Sequence, residues 1–141
     1  MASSEIRSSV PLQISLYFHD LFVYLVFLLT IAGFIYKGFY FPYPAGTLGA
    51  EISFAVAYLL VEKVRLRVMS RGNKTEMVLP MAGGLALALL VAIIHGYYIF
   101  GQAYVLRLDQ LVQGMSAVWL LIEFVLGLVA LVTFLSAPQV Y

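Results

Sequence analysis

Long apolar stretches alternate with short polar links along almost the whole chain. Each of four stretches has roughly the 20 residues that a helix needs to cross a bilayer core of about 30 Å. Only helices and closed barrels satisfy every backbone polar group in hydrocarbon, and barrel strands are about half this length and alternate in polarity. Four transmembrane helices are therefore predicted, at about residues 16–36, 46–64, 79–104 and 111–135.

The links between these stretches contain residues that end helices. Pro42 and Pro44 lack an N–H and disfavour helical geometry in the residue before them, which predicts the first turn there. Gly72 supplies a helix-ending glycine in the second link, and Pro80 fits the first turn of the helix that follows. The link at residues 107–110 is tight, so we expect the third and fourth helices to be antiparallel neighbours.

Together these features predict an all-α membrane protein with four transmembrane helices as two antiparallel hairpins. Residues 1–141 then form a single four-helix transmembrane domain. The first apolar run is too long for the core of a signal peptide, follows a leader with one arginine and lacks a small-residue cleavage site. We expect it to remain in the mature protein.

The composition agrees with a membrane protein and excludes several functions. Hydrophobic residues make up 63% of the chain and charged residues 11%, against roughly 25% charged in soluble domains. A net charge of +1 argues against nucleic-acid binding, and the absence of cysteine excludes disulfides and thiolate metal sites. No nucleophile–base pair, metal-ligand spacing or phosphate loop is present, so no enzymatic activity, cofactor, metal or small-molecule substrate is predicted.

The cationic side chains lie mainly on one side of the predicted bundle. By the positive-inside rule, this imbalance places both termini and the central loop in the cytosol. The sequon that begins at Asn73 is then expected to stay unglycosylated. The first side carries Arg7, Lys63, Arg65, Arg67, Arg71 and Lys74, and the other carries Lys37 and Arg107.

Ionisable side chains within the predicted helices need partners, because an acid at the helix centre costs about 2.5–3.5 kcal/mol on insertion scales. Glu51 and Glu62 are about three turns apart, so with Ala55 and Tyr58 they mark one face that should point into protein. Arg65 lies one turn after Glu62 and predicts an ion pair near the headgroups. The four ionisable positions are Glu51, Glu62, His95 and Glu123.

Two interpretations of the deeper groups remain open. Glu51 and His95 fall at similar depth, which makes a contact between them one hypothesis. A proton or cation relay through Glu51, His95 and Glu123 predicts a small transporter or channel subunit. A bundle fixed by interhelical hydrogen bonds needs the same number of polar groups, and this second interpretation is favoured.

Small residues recur at every fourth position of the third predicted helix, and a shorter series of this kind occurs in the second. Small side chains let helices approach closely in lipid, so these two helices are expected to touch. The series in the third helix is the stronger signal because it is unbroken over four positions. It consists of Gly84, Ala88, Ala92 and Gly96, and the shorter one of Gly49, Ser53 and Ala57.

Four motifs occur in order at the ends of the predicted helices. They are Tyr36-Lys37-Gly38 with Pro42-Tyr43-Pro44, then Glu62-Lys63-Val64-Arg65-Leu66, then Arg71-Gly72-Asn73, then Tyr104-Val105-Leu106-Arg107-Leu108-Asp109. In this order and spacing they resemble the tetraspan ciliary transition-zone family of transmembrane proteins 216, 17 and 80, most closely the 216 type. The resemblance covers roughly residues 8–135.

This resemblance implies a structural component of the Meckel and Joubert syndrome module, which helps to form the membrane diffusion barrier at the ciliary base and supports ciliogenesis. It implies the lipid bilayer, tectonic-type proteins and related tetraspans as partners. An accessory subunit of another membrane complex would have the same composition and remains an alternative. The resemblance implies that assembly depends on Tyr36, Lys37, Gly38, Pro42, Tyr43, Pro44, Glu62, Arg65, Gly72, Asn73, Tyr104, Arg107 and Asp109.

Overall fold

Four long helices account for most of the protein. The computed structural model describes residues 5–137, and all regular elements in that part are helical, as predicted. The helices are α1 (Val10–Tyr40), α2 (Thr47–Thr75), α3 (Val78–Gly96) and α4 (Arg107–Leu135), and a π-helical turn, Tyr97–Gly101, follows α3.

Three of these elements are long and apolar enough to cross a membrane. They are α1, α3 together with its π turn, and α4. The helix α2 is outside this set because Glu51, Glu62 and the cations from Lys63 onward put at least three charged side chains in every stretch of 18 residues.

Each helix packs mainly against two others: α1 packs against α2 and α4, and α3 packs against the same two helices. At one end, the Ser9 N–H donates to Asn73 Oδ1 at 2.8 Å. At the other end, a Cβ on Gly38 would lie 3.0 Å from the Leu48 side chain. The start of α1 thus lies beside the end of α2, and its end beside the start of α2.

The apolar interior consists of two clusters, stacked along the bundle. One includes Val26, Phe34 and Val91, and the other includes Leu12, Met69 and Met81. Large apolar side chains also cover the outer surface on all four helices, including Leu28, Leu60, Ile93 and Leu121. Exposed apolar area on this scale marks a surface that meets lipid or other helices.

The prediction of a central loop that carries the cations is wrong. The helix α2 continues to Thr75, and only Glu76 and Met77 separate it from α3. Lysine, arginine and glutamate are good helix formers, so the helix extends past the point where the apolar pattern stops. Gly72 does not end the helix; Glu76 does so, with φ 54° and its N–H directed to the Gly72 carbonyl.

The other helix ends also differ from the apolar stretches. The helix α1 begins at Val10, and α3 gives way to the π turn after Gly96. Residues 107–110 are the first turn of α4, not a link, because the Asp109 carboxylate accepts the Leu106 N–H at 3.0 Å and caps that turn. The actual link covers residues 102–106. Pro80 lies in the first turn of α3, as predicted.

The predicted contact between α2 and α3 is present, but only part of the small-residue series makes it. Gly84 packs on the Met69 side chain and Ala88 is buried, whereas Ala92 is exposed and a Cβ on Gly96 would meet nothing within 4 Å.

The prediction that the small residues of α2 form a packing surface is wrong, because these residues face outward. Those residues are Gly49, Ser53 and Ala57. The face of Glu51, Ala55, Tyr58 and Glu62 is buried, as predicted.

At Gly72 the backbones of α2 and α3 approach each other closely. A Cβ there would lie 2.7 Å from Met81 N, a backbone atom that has little freedom to move. We expect Gly72→Ala to lower the free energy of unfolding by about 1–3 kcal/mol, as overpacking does. The measurement is the unfolding transition of the purified protein in detergent micelles.

Gly49→Ala on the same helix is the matched control, since a Cβ there meets nothing within 4 Å. This change should be neutral or slightly stabilising because alanine is the better helix former. Equal stability of the two variants would contradict the close approach at Gly72.

Candidate functional site

A buried arginine on α2 joins three helices through charged and polar contacts. Arg65 Nη2 lies 2.5 Å from Glu62 Oε1 on its own helix and 2.7 Å from Glu123 Oε2 on α4. His19 Nδ1 on α1 lies 2.9 Å from the same Glu123 oxygen. All four side chains are 0% exposed. These residues, His19, Glu62, Arg65 and Glu123, are called the Arg65 cluster below.

Aromatic and hydroxyl groups surround this cluster. The His19 ring stacks on Trp119, with centroids 5.1 Å apart. Trp119 Nε1 donates to Ser15 Oγ at 2.9 Å, and that hydroxyl donates to Glu123 Oε1 at 3.2 Å. Arg65 Nε also donates to Glu62 Oε2 at 2.8 Å. The Glu62–Arg65 pair that the sequence predicts is therefore present, but it lies in the protein interior and includes two further helices.

The Arg65 cluster contains a donor set that could ligate a metal ion. His19, Glu62 and Glu123 offer ligand atoms within 4.8 Å of one another. The guanidinium of Arg65, however, already donates to both carboxylates, so an ion would have to displace it. The geometry fits an internal ion-pair network, and a proton on His19 would make that network electrically neutral.

A second set of paired charges lies where α1 ends and α4 begins. Lys37 Nζ is 2.6 Å from Asp109 Oδ2 and donates to Gln102 Oε1 at 2.9 Å. Gln102 Nε2 in turn donates to the Tyr98 carbonyl at 2.7 Å and to Asp109 Oδ2 at 3.1 Å. The three side chains are buried. This Lys37 cluster (Lys37, Gln102 and Asp109) connects two helices with the link 102–106.

Glu51 joins the turn after α1 to the link before α4, at the same end of the bundle as the Lys37 cluster. Its carboxylate accepts hydrogen bonds from the Ala103 N–H at 2.7 Å and from the hydroxyls of Tyr43 and Tyr97 at 3.1 and 3.3 Å. Tyr98 donates to the Glu51 carbonyl at 3.0 Å. Burial, followed by the hydrogen bond to Glu51, raises the pKa of the Tyr43 phenol, so Tyr43 remains a donor at neutral pH.

His95 is buried on α3 and contacts α4, not Glu51. Its Nδ1 lies 2.6 Å from Gln113 Oε1, and Gln113 Nε2 donates to Thr30 Oγ1 at 3.2 Å. The suggested Glu51–His95 contact is therefore wrong. Glu51, His95 and Glu123 belong to three separate hydrogen-bonded groups.

Asn73 fixes the start of α1 against the end of α2. Its amide donates to the Ser9 carbonyl at 2.8 Å, and its oxygen accepts the Ser9 N–H at the same distance. Nearby, Glu76 Oε1 accepts the backbone N–H groups of Arg7 and Ser8 at 2.7 and 3.1 Å. The side chain of Asn73 is thus buried by contacts within the protein. Asn73 is the residue of the sequon that would carry the sugar.

The remaining motif residues differ in their surroundings. Tyr104 donates to the Pro42 carbonyl at 2.6 Å and stacks on Phe41, while the Pro44 carbonyl accepts the Thr47 N–H at 3.1 Å. Tyr36 and Arg107 are exposed, and within residues 5–137 no acid lies within 4 Å of the Arg107 guanidinium.

The sequence interpretation missed several polar residues that complete these groups. His19, Gln102 and Gln113 were not assigned a role, although each is buried and hydrogen-bonded. His19 could have been found, because it is an ionisable residue within a predicted transmembrane helix. The partners of Gln102 and Gln113 depend on which helices are neighbours, and no short-range signal specifies that.

Helices with paired charges inside and apolar side chains outside define a multi-pass membrane protein. The sequence comparison specifies the class further: a family model described as a predicted membrane protein, Transmemb_17, matches residues 14–121. The chain belongs to this family.

Several curated relatives that match over most of their length carry the name Transmembrane protein 216. The protein of Rattus norvegicus is 31% identical over 133 residues, 94% of each chain. That of Homo sapiens is 32% identical over 127 residues, 90% of this chain and 88% of the relative. That of Danio rerio is 29% identical over 136 residues, 96% and 84% of the two chains. No solved structure matches the chain.

Removing the cation of the Arg65 cluster should be strongly destabilising. Arg65→Met leaves two buried carboxylates without their partner, which typically costs about 3–5 kcal/mol. The combined variant Arg65→Met/Glu62→Gln/Glu123→Gln removes the uncompensated charge and should recover most of that loss. Unfolding transitions in detergent micelles measure both effects.

Arg67→Met provides the control, because Arg67 is an exposed arginine two residues further along the same helix. A surface change of this kind normally alters stability by no more than about 0.5 kcal/mol. If Arg65→Met were as stable as Arg67→Met, the cluster would not be what stabilises the bundle.

Proposed function

We propose that this chain is a non-enzymatic structural component of the ciliary transition zone that contributes to the membrane diffusion barrier and to ciliogenesis. The observation that carries the structural role is the Arg65 cluster, whose charged groups are satisfied by the protein's own helices. Such groups fix an assembly, and the Arg65 cluster itself leaves none of its charged side chains free for a substrate. The proposed ciliary location rests on the resemblance of the four sequence motifs to the ciliary transition-zone family. It rests also on the relatives named Transmembrane protein 216, which match this chain over most of their length.

In this proposal all four helices cross the membrane, as two antiparallel hairpins. The helix α2 lies beside α1 from end to end and therefore covers the same depth. Three of its seven charged side chains, Glu51, Glu62 and Arg65, are buried inside the protein and do not meet lipid. Its outward positions over the same stretch include the apolar residues Phe54 and Leu60.

The proposed orientation has both termini and the α2–α3 turn in the cytosol, and the cations at the end of α2 support it by the positive-inside rule. Because the chain has no cysteine, single cysteines introduced at exposed positions report topology directly. We expect Thr75→Cys to react with a membrane-impermeant maleimide from the cytosolic side, and Ala45→Cys and Ala103→Cys from the other. The assay uses sealed membrane vesicles of known sidedness.

The unmodified protein serves as the blank in that experiment. Labelling of residues 45 and 75 from the same side would show that α2 does not cross. Labelling of every site from the side opposite to the one expected would leave the four crossings intact and reverse the orientation.

A tagged protein in ciliated cells tests the cellular role. We expect a ring or band at the ciliary base, together with co-purification of tectonic-type membrane proteins and related tetraspans. In cells that lack the protein, the wild type and Arg7→Met should restore cilia, because the Arg7 side chain lies outside the Arg65 cluster. Arg65→Met should not restore cilia, because its bundle is destabilised. Staining throughout the plasma membrane or in mitochondria would contradict the proposal.

A transporter or channel subunit has less support from the geometry. Its relay would run through Glu51, His95 and Glu123, which lie in three separate hydrogen-bonded groups. If Glu123→Gln and His95→Ala assembled normally but abolished an ion flux, the transporter interpretation would replace the structural one.

A further inference from the structure

A groove of about 510 Å³ lies between α1 and the last three turns of α2. Its α2 wall carries four cations at spacings of four, four and three residues, which places them on one helix face. Its α1 wall includes Gln13, Tyr17 and Asp20. The four cations of this basic groove are Lys63, Arg67, Arg71 and Lys74.

Most of the positive charge in the basic groove is unneutralised. Lys63 pairs with Asp20, and its Nζ lies 4.4 Å from the centroid of the Tyr24 ring. In the part of the chain that the structure describes, no carboxylate lies within 4 Å of the nitrogens of Arg67, Arg71 or Lys74.

The walls of the groove are held in place by other contacts. Gln13 Nε2 donates to Ser70 Oγ at 2.8 Å across the groove, and Asn73 joins the same two helices one turn further on. The volume is in the range of small-ligand sites, about 300–1,000 Å³. The groove is therefore a formed cavity with excess positive charge, which suits an anion.

The occupant must also suit a membrane boundary. Leu16 and Leu66 line the groove, and the neighbouring side chains of Tyr17 and Val64 are exposed to the outside. From Lys63 to Lys74 the helix rises about 16 Å, which is more than the polar layer of about 5–8 Å on one side of a bilayer. The groove is therefore longer than the polar layer is thick, and the exposed side chains of Val64 and Tyr17 favour hydrocarbon depth for its Lys63 end, with the Lys74 end toward the headgroups.

We propose that the basic groove binds the phosphorylated headgroup of an anionic membrane lipid that carries more than one phosphate, as a polyphosphoinositide does. Arg67 and Arg71 lie one turn apart, about 6 Å along the axis, so each can contact a different phosphate. Arginine also binds phosphate oxygens in a bidentate manner. The proposal requires the chain to be in a membrane and does not depend on its ciliary placement.

The test measures lipid binding to the purified protein by native mass spectrometry. The probes are phosphatidylinositol 4,5-bisphosphate, phosphatidylserine and the soluble inositol 1,4,5-trisphosphate. We expect the bisphosphate lipid to bind more tightly than the other two, because only it combines several phosphates with acyl chains.

Arg67→Gln/Arg71→Gln should weaken binding of the bisphosphate lipid by about 25-fold, since each cation near an anionic leaflet accounts for roughly fivefold. The matched control Arg7→Gln/Arg107→Gln removes the same charge outside the groove and should change binding little. Asp20→Asn should strengthen binding, because it releases Lys63, and a misfolded variant would not produce such a gain.

Three results would overturn the proposal. Equal weakening in the two double variants would show that net charge, not the groove, attracts the lipid. Equal affinity for the soluble trisphosphate would exclude a lipid as the preferred source of the phosphate. Tighter or equal binding of phosphatidylserine would exclude a requirement for several phosphates.

Discussion

The structure depends on one constraint: a charge buried among apolar helices must be paired within the protein. Arg65 meets this constraint with Glu62 on its own helix and Glu123 on α4, and His19 on α1 contacts the same Glu123 oxygen. An isolated α4 would expose the unpaired charge of Glu123 to lipid, at about 2.5–3.5 kcal/mol. Glu123 obtains its partners only when α1, α2 and α4 are together, so the pairing specifies which helices are neighbours as well as contributing to their association.

The same constraint organises the other end of the bundle. The Lys37 cluster pairs α1 with α4, and Glu51 holds the first turn against the link that follows the π turn. The apolar cluster of Val26, Phe34 and Val91 lies between these polar groups and the Arg65 cluster, and the cluster of Leu12, Met69 and Met81 lies beyond the Arg65 cluster. Lipid gives little hydrophobic drive for association, so close packing holds both clusters together. Gly84 against Met69 and Gly72 against Met81 bring the backbones of α2 and α3 together for that purpose. Polar groups therefore specify the partners, and small residues set the distances.

This division of roles between polar groups and small residues explains why α2 is the least apolar helix although it packs along both α1 and α3. Its acids and Arg65 face the interior, while its last turns carry cations along the basic groove. One helix thus contributes to the internal assembly and presents charge where the proposed bilayer boundary lies. The proposed structural role rests on the first property, and the proposed contact with anionic lipid rests on the second.

The sequence by itself determined the helical class, the four apolar stretches, the first turn at Pro42 and Pro44, and the buried face of α2 from Glu51 to Glu62. These follow from periodicity and from the backbone preferences of single residues, which act over short distances. It also predicted the Glu62–Arg65 pair, because i,i+3 neighbours need no tertiary information.

The tertiary structure was needed to show that Glu123 and His19 complete this pair, that Lys37 pairs with Asp109, and that His95 contacts Gln113 and not Glu51. It also decided that α2 continues through the cationic stretch, because good helix formers extend a helix beyond the apolar pattern that marks it. The physical reason is that these partners are 18 to 104 residues apart in the chain, and their pairing depends on helix order and rotation, which no local pattern encodes.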